Sequence, residues 1–372
     1  MILCRASPGP VLIEHESGSM SVWNKYEPTA GRPAGKPGRE IRPQSVTIDI
    51  HSHIAVPAAG AYVAQQNVRV SPGLHSFQSP ETEAVNAKQD ADLKTRMVEL
   101  EPRLRNLDAM GIDMQVIKPP PGQCYYTLPT DIAVKAAQLV NDGIAEFCGR
   151  APDRLIPFGT VPLPHGDEAA KELERLAKLG FKGVQILTNI DGKELSDPVA
   201  APFWKKAEEL GLLVVIHPNG FTHGERLKRF YFNNVIGNPL ETTIALHYLI
   251  FDGVLERHPN LKILAVHGGG YLGAYYGRID HVWGARSDAH ADLPKPPTTY
   301  LKQIYFDTVV FSTGQLKTLV ETFGEDRIVM GTDYPFDMAD YDPVSHVASI
   351  ETFESATVGK IVGGNTKRIL GL

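Results

Sequence analysis

Eight short runs of β-branched and aliphatic residues, most of them followed by a segment of helical periodicity, dominate the chain from residue 46 onward. They are VTIDIHSHI (46 to 54), DMQVIKPP (113 to 120), RLIPFGTVPL (154 to 163), FKGVQILT (181 to 188), LLVVIHP (212 to 218), LKILAVH (261 to 267), IYFDTVV (304 to 310) and RIVMGTDYPF (327 to 336). Their alternation with helical segments is the pattern of βα units in a parallel sheet. Eight such units predict an α/β fold, a closed (β/α)8 TIM barrel. The crossover between the third and fourth runs is an example. From Asp167 to Leu179, residues Ala169, Leu173, Leu176 and Ala177 share one helical stripe, and Gly180 stands where a helix end takes a left-handed residue. Residues 55 to 112, between the first two runs, are too many for a simple crossover. Part of 55 to 95 is therefore expected to be an insertion over one barrel mouth, a candidate lid.

The barrel domain is expected to occupy residues 46–372. Residues 1–45, with many Gly, Pro and charged residues and no sustained apolar period, read as an irregular N-terminal arm without chemistry. Met20 opens the more regular stretch MSVWNKYEP, which suggests that translation begins there and that residues 1–19 are an artefact. A chain of 372 residues, 42% hydrophobic, can bury a large core. The net charge of −6, with Lys and Arg scattered, argues against a nucleic-acid partner. No apolar run approaches the roughly 20 residues of a spanning helix, and residues 1–19 lack the order of a secretory signal, so a cytoplasmic protein is expected. Cys4, Cys124 and Cys148 are odd in number and show no CxxC spacing, which reads as reduced structural thiols.

Apolar barrel strands have little use for ionisable residues, yet four of the runs end in them: His51 and His53, His217, His267, and Asp333. All five fall at C-terminal strand ends, the face where barrel enzymes assemble their sites, so residues far apart in sequence are expected to converge. Each taken alone is weak. An HxH pair on a strand merely shares a face, a lone histidine is most often a satisfied core residue, and an aspartate in GTDYP is most often a turn residue. Together, three neutral imidazoles (His51, His53, His217) and the Asp333 carboxylate suit one borderline divalent ion, zinc in the first place and manganese as the alternative, with an open coordination position. His267 could be a further ligand. Because it precedes a Gly-Gly-Gly turn that permits close approach, it is assigned general acid/base duty instead, with Asp333 also placed among the catalytic groups. Lys118, at the end of the second run, could bridge a second metal if carboxylated; a mononuclear site is preferred.

With IDIHSH, VVIHPNG, LAVHGGG and VMGTDYPF in order, the chain from about residue 46 to 372 resembles the decarboxylase branch of the amidohydrolase superfamily, aminocarboxymuconate semialdehyde decarboxylases in particular. The stretch NPLETTIALHYLIFDGVLERHPNLKILAVHGGG extends the resemblance. It implies that His51, His53, His217 and Asp333 bind zinc and that His267 acts beside it. It implies further that Arg278, in GRIDH, binds a substrate carboxylate across a homodimer interface. Two departures leave the substrate open: no clear counterpart of the family's arginine follows the first strand, and HPNG replaces HPWD after the fifth. Asn219, Phe221, His223 and Arg226 lie on that altered loop, and Asn219 is taken as a substrate contact.

The expected function is metal-dependent, non-oxidative decarboxylation (a carbon–carbon lyase) of a small unsaturated or aromatic carboxylic acid, with a place in aromatic-compound catabolism. The alternative is hydrolysis or hydration of a lactone, amide or unsaturated acid by the same site.

Overall fold

The computed structural model describes residues 45–372. The arm, Cys4 and Met20 lie outside the described residues. Each of the eight runs contains a strand: β1 Ile48–His53, β2 Met114–Lys118, β3 Leu155–Thr160, β4 Gly183–Leu187, β5 Leu213–His217, β6 Lys262–Ala265, β7 Ile304–Asp307 and β8 Ile328–Val329. They pair in parallel in chain order from β1 to β8. A seam of separate contacts brings β8 back to β1: a parallel bridge between Ser52 and Tyr334, and bonds from Ile50 N to Met330 O (2.9 Å) and from Asp333 N to His51 O (2.7 Å). This is a (β/α)8 barrel.

The barrel's lower interior is filled from alternating strand positions. Ile50, Val116, Phe158, Val215, Leu264 and Val329 are among the buried residues that pack there. The opposite faces of the strands pack against surrounding helices, as Val184, Ile186, Val214 and Ile216 do. The helix foreseen between β3 and β4 spans Gly166–Lys178, buries Ala169, Leu173 and Leu176, and is followed by Gly180 at φ +85°. Each leucine so buried contributes about 1.5–3 kcal/mol. β8 is much shorter than the run that contains it, because the chain beyond Val329 leaves the ladder; Asp333 has φ +63°. A small antiparallel hairpin, Asn189–Ile190 with Lys193–Glu194, turns at Asp191 and Gly192, both at positive φ, the conformation an Asp-Gly turn favours. Among the described residues no helix is long and apolar enough to cross a membrane.

Between β1 and β2 stand helices Pro57–Ala64 and Pro80–Val98, a short helical turn Gly73–Ser76, and the crossover helix Leu100–Met110. The turn reaches the loop after β5. Leu74 N donates to Asn219 Oδ1 (3.2 Å), and Asn233 Nδ2 donates to Leu74 O (2.9 Å). The insertion is thus fastened across the C-terminal face of the barrel.

Candidate metal centre

The strands bring the five polar residues together above the apolar interior. The ring centroids of His51, His53, His217 and His267 lie 5.0–5.3 Å apart in the close pairs. Asp333 stands among them. Its Oδ1 is 3.2 Å from Nε2 of His51, 3.2 Å from that of His53 and 3.9 Å from that of His217, and its Oδ2 is 3.3 Å from His267 Nε2. All but His267 are buried. His267 and Asp333 both hold left-handed backbone, at φ +54° and +63°, a conformation that non-glycine residues adopt at a cost of about 1–3 kcal/mol. The turn after His267 takes three further positive-φ residues, Gly268, Gly269 and Gly270; a Cβ on Gly269 would meet the Phe306 ring at 2.6 Å.

Hydrogen bonding at the far nitrogen orients three of the rings. Nδ1 of His53 donates to Pro119 O (2.8 Å), Nδ1 of His217 to Pro218 O (2.7 Å), and Nδ1 of His51 faces Asp307 Oδ2 at 2.7 Å. That leaves each Nε2 as an inward lone pair. These three Nε2 atoms and Asp333 Oδ1 are buried without a hydrogen-bond partner. Four unsatisfied acceptors facing one point are unfavourable unless a cation joins them, and nitrogen and oxygen donors in this ratio suit a divalent metal. Proximity alone does not separate His53 from His267, because His51, His217, His267 and Asp333 also offer atoms within 4.8 Å of one another. Their hydrogen bonds differ: His267 Nε2 meets Asp333 Oδ2 and its Nδ1 is unpartnered, whereas His53 anchors Nδ1 on Pro119 O and leaves Nε2 unpartnered.

The electrostatics agree with neutral imidazole donors at two positions. Burial pushes His53 down to about 4 and holds His217 well below its ordinary value. At His51, burial and Lys118 act in the same sense but are outweighed by Asp333 and the Asp307 bond, which hold it up. Burial raises Asp333, yet His51 and the other imidazoles outweigh it and hold the carboxyl well below the usual range.

Other residues from the sequence reading are placed as follows. Lys118 is fully buried, its Nζ has no hydrogen-bond partner, and burial lowers it to about 8. Asn219 and Phe221 line a cavity of about 190 Å³ beside Tyr125 and Tyr126, whereas His223 and Arg226 are exposed. Arg278 is exposed on helix Leu272–Ala285. Cys124 and Cys148 are buried and free, and burial pushes their thiols up to about 11 and about 12, too high for ready nucleophiles. Asp307 went unnoticed in the sequence. It ends β7 as an ionisable residue in an apolar run, the same signal that singled out His217. A second cavity, of about 270 Å³, is lined by His267, Asp333, Val309, Val310, Phe311 and Met338 among others.

The model of the family described as Amidohydrolase matches residues 48–372. The chain is 35% identical over 272 residues to 2-amino-3-carboxymuconate-6-semialdehyde decarboxylase of Dictyostelium discoideum, an alignment that covers 73% of this chain and 76% of that one. It is 26% identical to gamma-resorcylate decarboxylase of Rhodococcus jostii, with 72% and 85% covered. In fold it is similar to 5-carboxyvanillate decarboxylase of Novosphingobium aromaticivorans, solved with bound manganese, at a TM-score of 0.79 and 24% identity over 91% of this chain and 100% of that one. The chain belongs to the amidohydrolase family and is an enzyme of its decarboxylase branch.

Proposed function

We propose that the protein is a metal-dependent, non-oxidative decarboxylase of a small unsaturated or aromatic carboxylic acid, acting in the breakdown of aromatic compounds. The observation that carries this reading is the set of four inward, unpartnered atoms, Nε2 of His51, His53 and His217 and Oδ1 of Asp333, beside a cavity lined by His267. These residues would hold one zinc or manganese ion, which as a Lewis acid would draw electron density from a substrate oxygen and ease the loss of carbon dioxide.

The chain's own groups supply the rest. When the bond to the carboxylate breaks, its electron pair stays on the substrate carbon, and a proton must take the place of carbon dioxide. His267 lines the cavity and is oriented by the bond between its Nε2 and Asp333 Oδ2, so its imidazole can hold that proton there and deliver it. Asp333 serves twice, with Oδ1 toward the metal and Oδ2 orienting His267. Val309, Val310, Phe311 and Met338 give the cavity apolar walls that exclude water and accept a flat unsaturated acid, and about 270 Å³ admits only a small one. The substrates named for the two relatives are acids of this kind, which supports the reading.

For the substrate carboxylate we propose the exposed Arg278 of a second copy in a homodimer and Asn219, whose Nδ2 makes no hydrogen bond among the described residues and which lines the separate cavity of about 190 Å³ rather than the one at His267. Tyr275 and Tyr276, 65% and 39% exposed on the same helix, suit such an interface. Light scattering checks this: a dimer is expected, and a monomer would remove the shared arginine.

The reaction is tested in D2O with a panel of hydroxybenzoic and unsaturated dicarboxylic acids. The expected result is carbon dioxide in step with a product deuterated at the vacated carbon. A hydrated or hydrolysed product without carbon dioxide would overturn the reading.

A further inference from the structure

We infer that Asp49 is a positioning residue for the metal centre, its carboxylate fastening the backbones that carry His51 and Asp333 to each other across the barrel seam. The inference rests on the metal reading above. The seam is where the barrel is least regular. β8 contributes only Ile328–Val329 to the ladder, and Asp333, at φ +63°, lies beyond it, joined to β1 by separate contacts, the bond from its amide to His51 O and the bridge between Ser52 and Tyr334.

Asp49 is fully buried, and it touches both sides of the seam. Its Oδ1 accepts from His51 N (2.9 Å) and from Thr332 N (3.0 Å). Its Oδ2 accepts from Thr332 Oγ1 (2.6 Å) and from Gln115 Nε2 (2.7 Å). One side chain therefore holds the amide of a proposed ligand in β1 and the residue next to another beyond β8, and ties both to β2. The network continues away from the cavity. Gln115 Oε1 accepts from Arg103 Nη1 (2.7 Å), and Arg103 Nη2 donates to the carbonyl of His53 (2.5 Å). Asp49, Gln115, Arg103 and Thr332 are all fully buried. Through backbone contacts they govern His51, His53 and Asp333, while none of them offers an atom to the metal. Small displacements count here, since a Cβ on Gly331 would already lie 2.9 Å from His51 Cβ. Metal affinity depends on donor positions held to about half an ångström by such supporting bonds.

The test compares metal-stripped parent, Asp49→Asn, Thr332→Val and Thr332→Ser. Each is titrated with Mn²⁺ or Zn²⁺ against a chromophoric chelator, and thermal unfolding of each metal-free protein is recorded. Asp49→Asn and Thr332→Val are expected to bind the ion about 10- to 100-fold more weakly, and Thr332→Ser, which keeps the hydroxyl, within about threefold of the parent. The metal-free Thr332 variants are expected to unfold cooperatively as the parent does. Thr332→Val binding as tightly as the parent, or Thr332→Ser as weak as Thr332→Val, would overturn the inference. Should Asp49→Asn not fold, the Thr332 pair decides. A parent that binds no ion overturns the metal reading and this inference with it, whereas tight binding by parent and variants alike overturns only the inference.

Discussion

The interior of this barrel has two storeys built on opposite terms. In the lower one, Ile50, Phe158, Val215, Leu264 and their neighbours fill the space with apolar atoms that need no partner. In the upper one, Nε2 of His51, His53 and His217 and Oδ1 of Asp333 converge with none, and two residues hold left-handed backbone. The lower storey lowers the free energy of folding; the upper storey raises it and has a use for the strain. The same strands make both, so the fold's stability is concentrated where no chemistry occurs.

The largest expected effect separates the storeys outright. His53→Ala should abolish both metal binding and turnover while leaving a folded protein, read by elemental analysis and assay. Phe158→Ala should do the reverse: about 3–5 kcal/mol of stability lost in denaturant unfolding, with metal still bound by the folded molecules. Loss of metal from the Phe158 variant without loss of stability would break the comparison.

Within the upper storey, His53 and His267 should part. His267→Gln is expected to keep the metal and lose about 10²–10⁴-fold in kcat, the range for a proton-transfer group, whereas equal loss of metal from both variants would make His267 a ligand.

Acid should act on the upper storey alone. His53 titrates at about 4 in the metal-free folded protein against about 6.5 when unfolded. Between those values the unfolded chain binds a proton that the folded one refuses, so stability falls as pH drops from about 6.5 and levels off below about 4. His53 alone contributes about 3 kcal/mol to that loss. His217, also held down by burial, adds to it, while the raised His51 acts in the opposite sense only above its ordinary value. Urea unfolding of chelator-treated protein at pH 7 and 4.5 measures it, and equal stabilities would contradict the burial argument.

The smallest effect concerns Asp307, which faces His51 Nδ1. Asp307→Asn should weaken metal binding about 10- to 100-fold, and unchanged affinity would mean that the His51 ring is held by packing alone.

Much of this was legible from residue order. Apolar runs place strands because burial on both faces demands them, and an ionisable side chain at a run's end stands out against them; β1 to β8 and the five polar residues follow from that rule. Asp307 obeys the same rule and was passed over within IYFDTVV. Asp49 and Arg103 were not legible in the same way. Asp49 sits two positions before His51, and Arg103 belongs to helix Leu100–Met110, so their meeting through Gln115 depends on three-dimensional packing. Asn219 illustrates a different limit: its loop was recognised, but the bond to Leu74 that fastens the insertion over the mouth pairs residues no local pattern connects.

The most direct test of the central claim is carbon dioxide release from the substrate panel by metal-stripped protein as Mn²⁺ or Zn²⁺ is added back. The account predicts no release from the stripped protein, activity rising until one ion is bound per chain, and none at any metal concentration from His53→Ala. Release that persists in excess chelator, or that returns in His53→Ala as in the parent, would contradict it.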